Sequence, residues 1–141
     1  FRVAAMDQEA GALNAEKRAL QIAVGAAALL PVTAGWAGII GGAHFLGLFG
    51  SAPAVSQAAY LSGLLLGLGL AFWSTIPDIE RQGRLFSVLA GIVIVGGLAR
   101  AFTALRLGAV SSLIAGPLLI ELGVTPLLWL WQRKLARKMV R

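Results

Sequence analysis

Four stretches of this chain stay apolar for long enough to cross a lipid bilayer, and short polar or glycine-rich breaks separate them. An α-helix rises about 1.5 Å per residue, so a hydrocarbon core of about 30 Å takes roughly 20 apolar residues. The stretches run from about 19 to 40, 58 to 76, 85 to 105 and 109 to 131, and each is predicted to be a helix. The first two carry no charge, the third carries Arg100 and the fourth carries Glu121. The apolar positions are continuous rather than alternating, which argues against the strands of about ten residues that build a membrane barrel. The expected fold is all-α, a four-helix transmembrane bundle.

The breaks have identifiable causes. Gly41, Gly42, Gly47, Gly50 and Pro53 make residues 41–57 a poor helix, although this loop is apolar enough to lie in the membrane interface. Pro77 and the run from Asp78 to Arg84 are too polar for lipid, and Gly108 leaves room only for a tight turn between the third and fourth helices. Pro31, Pro117 and Pro126 fall inside apolar runs, where each removes a backbone donor and invites a kink. Residues 1–18 mix acids with bases and read as a polar tail. They lack the character of a secretory leader, so the first apolar run is expected to be retained as a helix.

Orientation follows from Lys and Arg near the helix ends, which favour the cytoplasmic side. Arg2, Lys17, Arg18, Arg81 and Arg84 join Arg133, Lys134, Arg137, Lys138 and Arg141 on one side, against Arg100 and Arg106 on the other. Ten against two places both termini in the cytoplasm. Trp73, Trp129 and Trp131 fall near that same boundary, where indole rings settle.

Composition narrows the chemistry. Hydrophobic residues make up 58% of the 141 residues and charged ones 13%, and the mean hydropathy is +0.83. A water-soluble domain carries about 25% charged residues, so this chain could not cover a globular surface. The net charge of +6 does not point to nucleic acid, because the bases cluster at the ends of apolar runs instead of spreading over a binding face. With no cysteine, one histidine (His44) and six acidic residues, no metal site or cofactor is expected. No phosphate loop, dinucleotide fingerprint or catalytic triad is visible. Ser62, Ser74, Ser111 and Ser112 are expected to bond their own helices, since no base stands beside them. His44 is expected in the interfacial loop.

Two features remain as candidates. Helices in lipid meet through small residues, and Gly63 and Gly67 in helix two, Gly35, Gly38 and Gly42 in helix one, and Gly91, Gly96 and Gly97 in helix three offer such seams. They serve either packing within the bundle or contact with another subunit. Arg100 and Glu121 are the second feature, because charges inside a bilayer cost about 2.5 to 3.5 kcal/mol each on insertion scales. The tight turn makes helices three and four antiparallel neighbours. Counting residues leaves the two groups roughly 9 to 10 Å apart in level, a gap that the long guanidinium spans for the most part. They form a register-fixing ion pair, or a site for a headgroup, an ion or a proton, with Tyr60, Ser62 and Thr103 as polar neighbours. In another arrangement Arg100 reaches the outer headgroups and desolvation leaves Glu121 protonated. The basic tail at 132–141 is a topology signal that also attracts anionic lipid.

The stretch Tyr60-Leu-Ser-Gly-Leu-Leu-Leu-Gly-Leu-Gly-Leu, with Ile76-Pro-Asp-Ile-Glu-Arg, Gly96-Gly-Leu-Ala-Arg100, Glu121 and Pro126-Leu-Leu-Trp-Leu-Trp-Gln-Arg133, resembles the bacterial family known as domain of unknown function 4345. The resemblance covers about residues 17 to 138. It implies a short four-helix protein of the bacterial inner membrane, singles out Tyr60, Ser62, Arg100 and Glu121 for inspection, and supplies no activity. The lack of a catalytic set, the very short loops and the small-residue seams favour a non-enzymatic accessory or structural subunit of a larger membrane assembly or homo-oligomer. The competing class is a small transporter, channel or lipid-binding protein that uses Arg100 and Glu121.

Overall fold

A computed structural model describes residues 2–45, 51–108 and 111–139, with side chains except at 43–45 and 113. All regular structure among these residues is helical: α1 (Arg2–Phe45), α2 (Ala52–Ser74), α3 (Gly83–Leu107), α4 (Ser112–Leu119), a π-helical turn (Ile120–Val124) and α5 (Thr125–Met139). Four helical stretches are long and apolar enough to cross a membrane: Arg2–Gly42, Ala52–Ser74, Gly83–Leu107 and Ile114–Met139.

The boundaries differ from the sequence expectation where polar residues are helix formers. The polar segment 2–18 is helical and continuous with α1, since Ala, Glu, Gln, Lys and Arg all favour helix. Helicity likewise persists to Met139. The loop expected at 41–57 is shortened by helix at both ends: α2 begins at Ala52 with a proline in its first turn, where a missing N–H costs nothing. Gly42, at φ 54°, is the break inside α1. His44 has helical backbone, but its interfacial role falls outside the described side chains. The chain divides into two compact units, residues 24–76 and residues 1–23 with 77–141.

In the unit of residues 24–76, α1 and α2 run antiparallel, Gly25 pairing with Trp73 and Gly38 with Ser62. The Trp73 indole N–H donates to the Gly25 carbonyl at 3.2 Å. Gly69 packs on Val32 and on the Ala28 carbonyl, and Gly35 on the backbone of Ser62 and Leu66. Val24, Ala28 and Val32 are buried on α1, and Ala58, Ser62 and Phe72 on α2. Gly63 and Gly67 offer a seam for packing within the bundle or against another subunit; a methyl at either would meet nothing within 4 Å among the described residues, so neither makes a close contact there. The buried face carries Ser62, Leu66 and Gly69, one residue of rotation (about 100°) away from the Gly63–Gly67 stripe.

In the other unit, α3 and α5 are antiparallel. Gly83 lies against Gln132, Ser87 against Trp129 and Gly97 against Glu121. Leu20, Ile79, Phe86 and Leu135 are its largest fully buried apolar side chains among the described residues. The turn before α3 is fixed by the Asp78 carbonyl, which accepts from Arg81 N at 2.8 Å and Gln82 N at 3.1 Å. Gly108 closes α3 at φ 61°, a left-handed cap that only glycine adopts freely.

Candidate functional site

The fourth apolar run is not a uniform helix. Pro117 stands inside α4, and Pro126, at the second position of α5, has no N–H to give the carbonyl of Leu122. The chain answers with a wider turn: Thr125 N donates to the Ile120 carbonyl, five residues back. Thr125 Oγ1 donates to that same oxygen at 2.9 Å. This π-helical turn carries Glu121.

Opposite it stands Arg100 on α3. Arg100 Nε donates to Glu121 Oε2 and Nη2 to Oε1, each at 3.1 Å, a fork-to-fork pair that uses both carboxylate oxygens. The level difference counted from the sequence shrinks because the real ends lie elsewhere. Arg100 is seven positions before Leu107 and Glu121 nine after Ser112, a mismatch of about 3 Å at 1.5 Å per residue. Gly97 completes the arrangement: a Cβ there would lie 2.8 Å from Glu121 Cβ and 2.9 Å from Leu122 Cδ2. Only a bare backbone lets the two elements come this close. The Glu121 side chain is 19% exposed and that of Arg100 45%, so the carboxylate is largely covered while almost half of its partner side chain is open.

The other candidate residues bond locally or belong to the other compact unit. Thr103 donates to the Ala99 carbonyl one turn earlier at 3.0 Å. Ser62 is buried and donates to the Ala58 carbonyl at 2.8 Å, and Ser74 donates to the Ala71 carbonyl at 2.7 Å. Tyr60 is 60% exposed on α2; it and Ser62 belong to the other compact unit. Gly96 faces open space among the described residues, in contrast to its neighbour Gly97. No group of three metal-ligating side chains exists among the described residues.

Sequence reasoning missed a polar junction outside the apolar core of the spans. Lys17 bonds Glu80 at 2.8 Å and Lys138 bonds Glu16 at 2.7 Å. Gln132, fully buried, donates to the Ile79 carbonyl at 2.8 Å, and Trp129 Nε1 donates to Ser87 Oγ at 2.8 Å. The opposite charges at 16–17, 80 and 138 were a signal, but residues 63 and 122 apart in sequence pair only once the helices are placed. The Lys138 hydrogen bond holds Glu16 below its ordinary value of 4.5, with help from nearby charge and the Trp131 indole and against partial burial. For Glu80 burial is the largest single influence and pushes upward. The Lys17 hydrogen bond, the backbone and the charges of Lys17 and Arg81 together outweigh it, so Glu80 also ends below 4.5.

Among the described residues, fold and site together define an all-helical protein with four membrane-capable helices and one charge pair within their apolar stretches. The chain belongs to the family described as domain of unknown function 4345, which matches residues 19–132. No curated protein and no solved structure matches it.

Proposed function

We propose that this protein is a non-enzymatic subunit of the bacterial inner membrane, crossing it four times with both termini in the cytoplasm. It works by presenting helix faces to a larger membrane assembly or to a second copy of itself. Insertion in lipid is supported by the outward-facing large apolar side chains, among them Ile40, Leu105, Leu119 and Leu127, which water would leave unsheltered.

The observation that carries the subunit reading is the engagement of Arg100 with Glu121 through both carboxylate oxygens. The two charges satisfy one another instead of awaiting a substrate, which suits a register-fixing latch between α3 and the π-helical turn. The fourth span adds to this reading. Only 6% of its most apolar window is buried by the chain itself, against 22 to 28% in the other three, so it has the most surface to offer a neighbour. Purification in a mild detergent should recover a stoichiometric protein partner or a defined homo-oligomer. A lone protomer carrying a bound small molecule would overturn the proposal.

One observation favours the competing reading of a small transporter, channel or binding protein. Glu121 sits on a π-helical turn, a local expansion that recurs at functional sites, beside an arginine whose side chain is 45% exposed. In that case Arg100→Leu and Glu121→Gln would fold normally and lose only a transport or binding signal.

A further inference from the structure

The end of α5 carries Arg133, Lys134, Arg137 and Lys138, all exposed, while Gln132 and Leu135 are fully buried. Spacings of one and four positions gather the four cations on one side of the helix. With Leu130, about one turn nearer the apolar span, they line a hollow of about 340 Å³. Two of the four are already engaged: Lys138 with Glu16 at 2.7 Å, and Arg133 over the Trp129 ring at 5.0 Å. Lys134 and Arg137 take part in no ion pair among the described residues. The hollow therefore keeps an excess of positive charge beside an apolar wall, at the end of a helix long and apolar enough to cross a bilayer.

We propose that this hollow binds the phosphate headgroup of an anionic phospholipid through Lys134 and Arg137, with Leu130 against the first carbons of its acyl chains. The chemistry on each side selects this occupant. A phosphate diester accepts from an ammonium and a guanidinium together, and acyl chains follow the apolar surface of α5 back into the membrane. A zwitterionic headgroup brings its own cation into an already cationic hollow. The Glu16–Lys138 pair fixes one wall and occupies the acid that would otherwise compete for Lys134. The inference rests on the membrane-spanning reading but not on the subunit role.

The test is native mass spectrometry of the full chain released from detergent, with equal amounts of dioleoyl-phosphatidylglycerol and dioleoyl-phosphatidylcholine added. Phosphatidylglycerol should be retained at least about tenfold better, and Lys134→Gln with Arg137→Gln should weaken that retention about thirtyfold. The charge-matched pair Arg81→Gln with Arg84→Gln, also exposed, should leave retention unchanged, and Lys134→Arg with Arg137→Lys should preserve it. If the double glutamine variant loses helical signal, Lys134→Gln alone serves, with about fivefold weaker retention. Equal retention of the two lipids overturns the proposal. So does equal loss in the two charge-matched pairs, or displacement of phosphatidylglycerol by inorganic phosphate, which would make the hollow a site for soluble anions. Monodispersity in plain buffer without amphiphile would overturn the membrane reading itself, a separate result.

Discussion

Replacing Gly35 by alanine adds one methyl group where two helices meet backbone to backbone. The new Cβ would lie 2.6 Å from Leu66 N, 2.8 Å from Leu66 Cβ and 2.8 Å from the Ser62 carbonyl oxygen. Two of these neighbours are main-chain atoms that no rotamer change can move, so α1 and α2 must separate by close to 1 Å. A gap of that size forfeits a quarter to a half of each dispersion contact along the seam, and overpacking of this kind costs about 1 to 3 kcal/mol. Alanine returns about 0.5 to 1 kcal/mol of helix propensity, which leaves a net loss of up to about 2.5 kcal/mol. Gly63→Ala is the matched control, since its Cβ meets nothing within 4 Å among the described residues; it should be neutral or stabilising by up to about 1 kcal/mol. Unfolding by dodecyl sulfate from mild-detergent micelles, followed by circular dichroism and tryptophan fluorescence, measures both. A neutral Gly35→Ala beside a Gly63→Ala that loses more than about 1 kcal/mol would refute the packing face described above.

In the same assay, Arg100→Leu should cost about 2 to 3 kcal/mol, because it leaves the mostly buried Glu121 carboxyl without its fork. Glu121→Gln should cost less, about 1 to 2 kcal/mol, since Arg100 is half exposed and can reorient. The double variant should recover about 1 to 2 kcal/mol of the summed loss, and strict additivity would count against the latch. Acid should also destabilise the protein. Glu16 and Glu80 are held below 4.5 in the folded state, so the stability they contribute is complete above 4.5 and is lost as pH falls through their lowered values. The melting temperature should fall in that window, and Glu80→Gln should start lower and fall less; a flat profile down to about pH 3 would contradict this. The absence of native cysteine makes single introduced thiols unambiguous reporters of topology. Cysteines placed at Ala10 and Ala136 should react with an impermeant reagent only after cells are opened, and labelling of intact cells would reverse the proposed orientation.

The pattern along the chain was enough to announce four long apolar helices, because the requirement that lipid-facing backbone satisfy itself acts locally and leaves its mark in run length alone. It also isolated Arg100 and Glu121, since a charge within such a run is conspicuous wherever the run packs. Which glycines meet a neighbour was decided by rotation about each helix axis. Gly63 and Gly67 have the familiar spacing, yet the chain turns Ser62, Leu66 and Gly69 inward instead. Composition cannot fix that angle, because every side of a helix in lipid is apolar and no polar face betrays the outer one. The directness of the Arg100–Glu121 pair, the wide turn that carries Glu121 and the ties of Lys17 to Glu80 and Glu16 to Lys138 likewise belong to the folded chain alone. Each depends on helix ends and levels set by contacts between residues far apart in sequence.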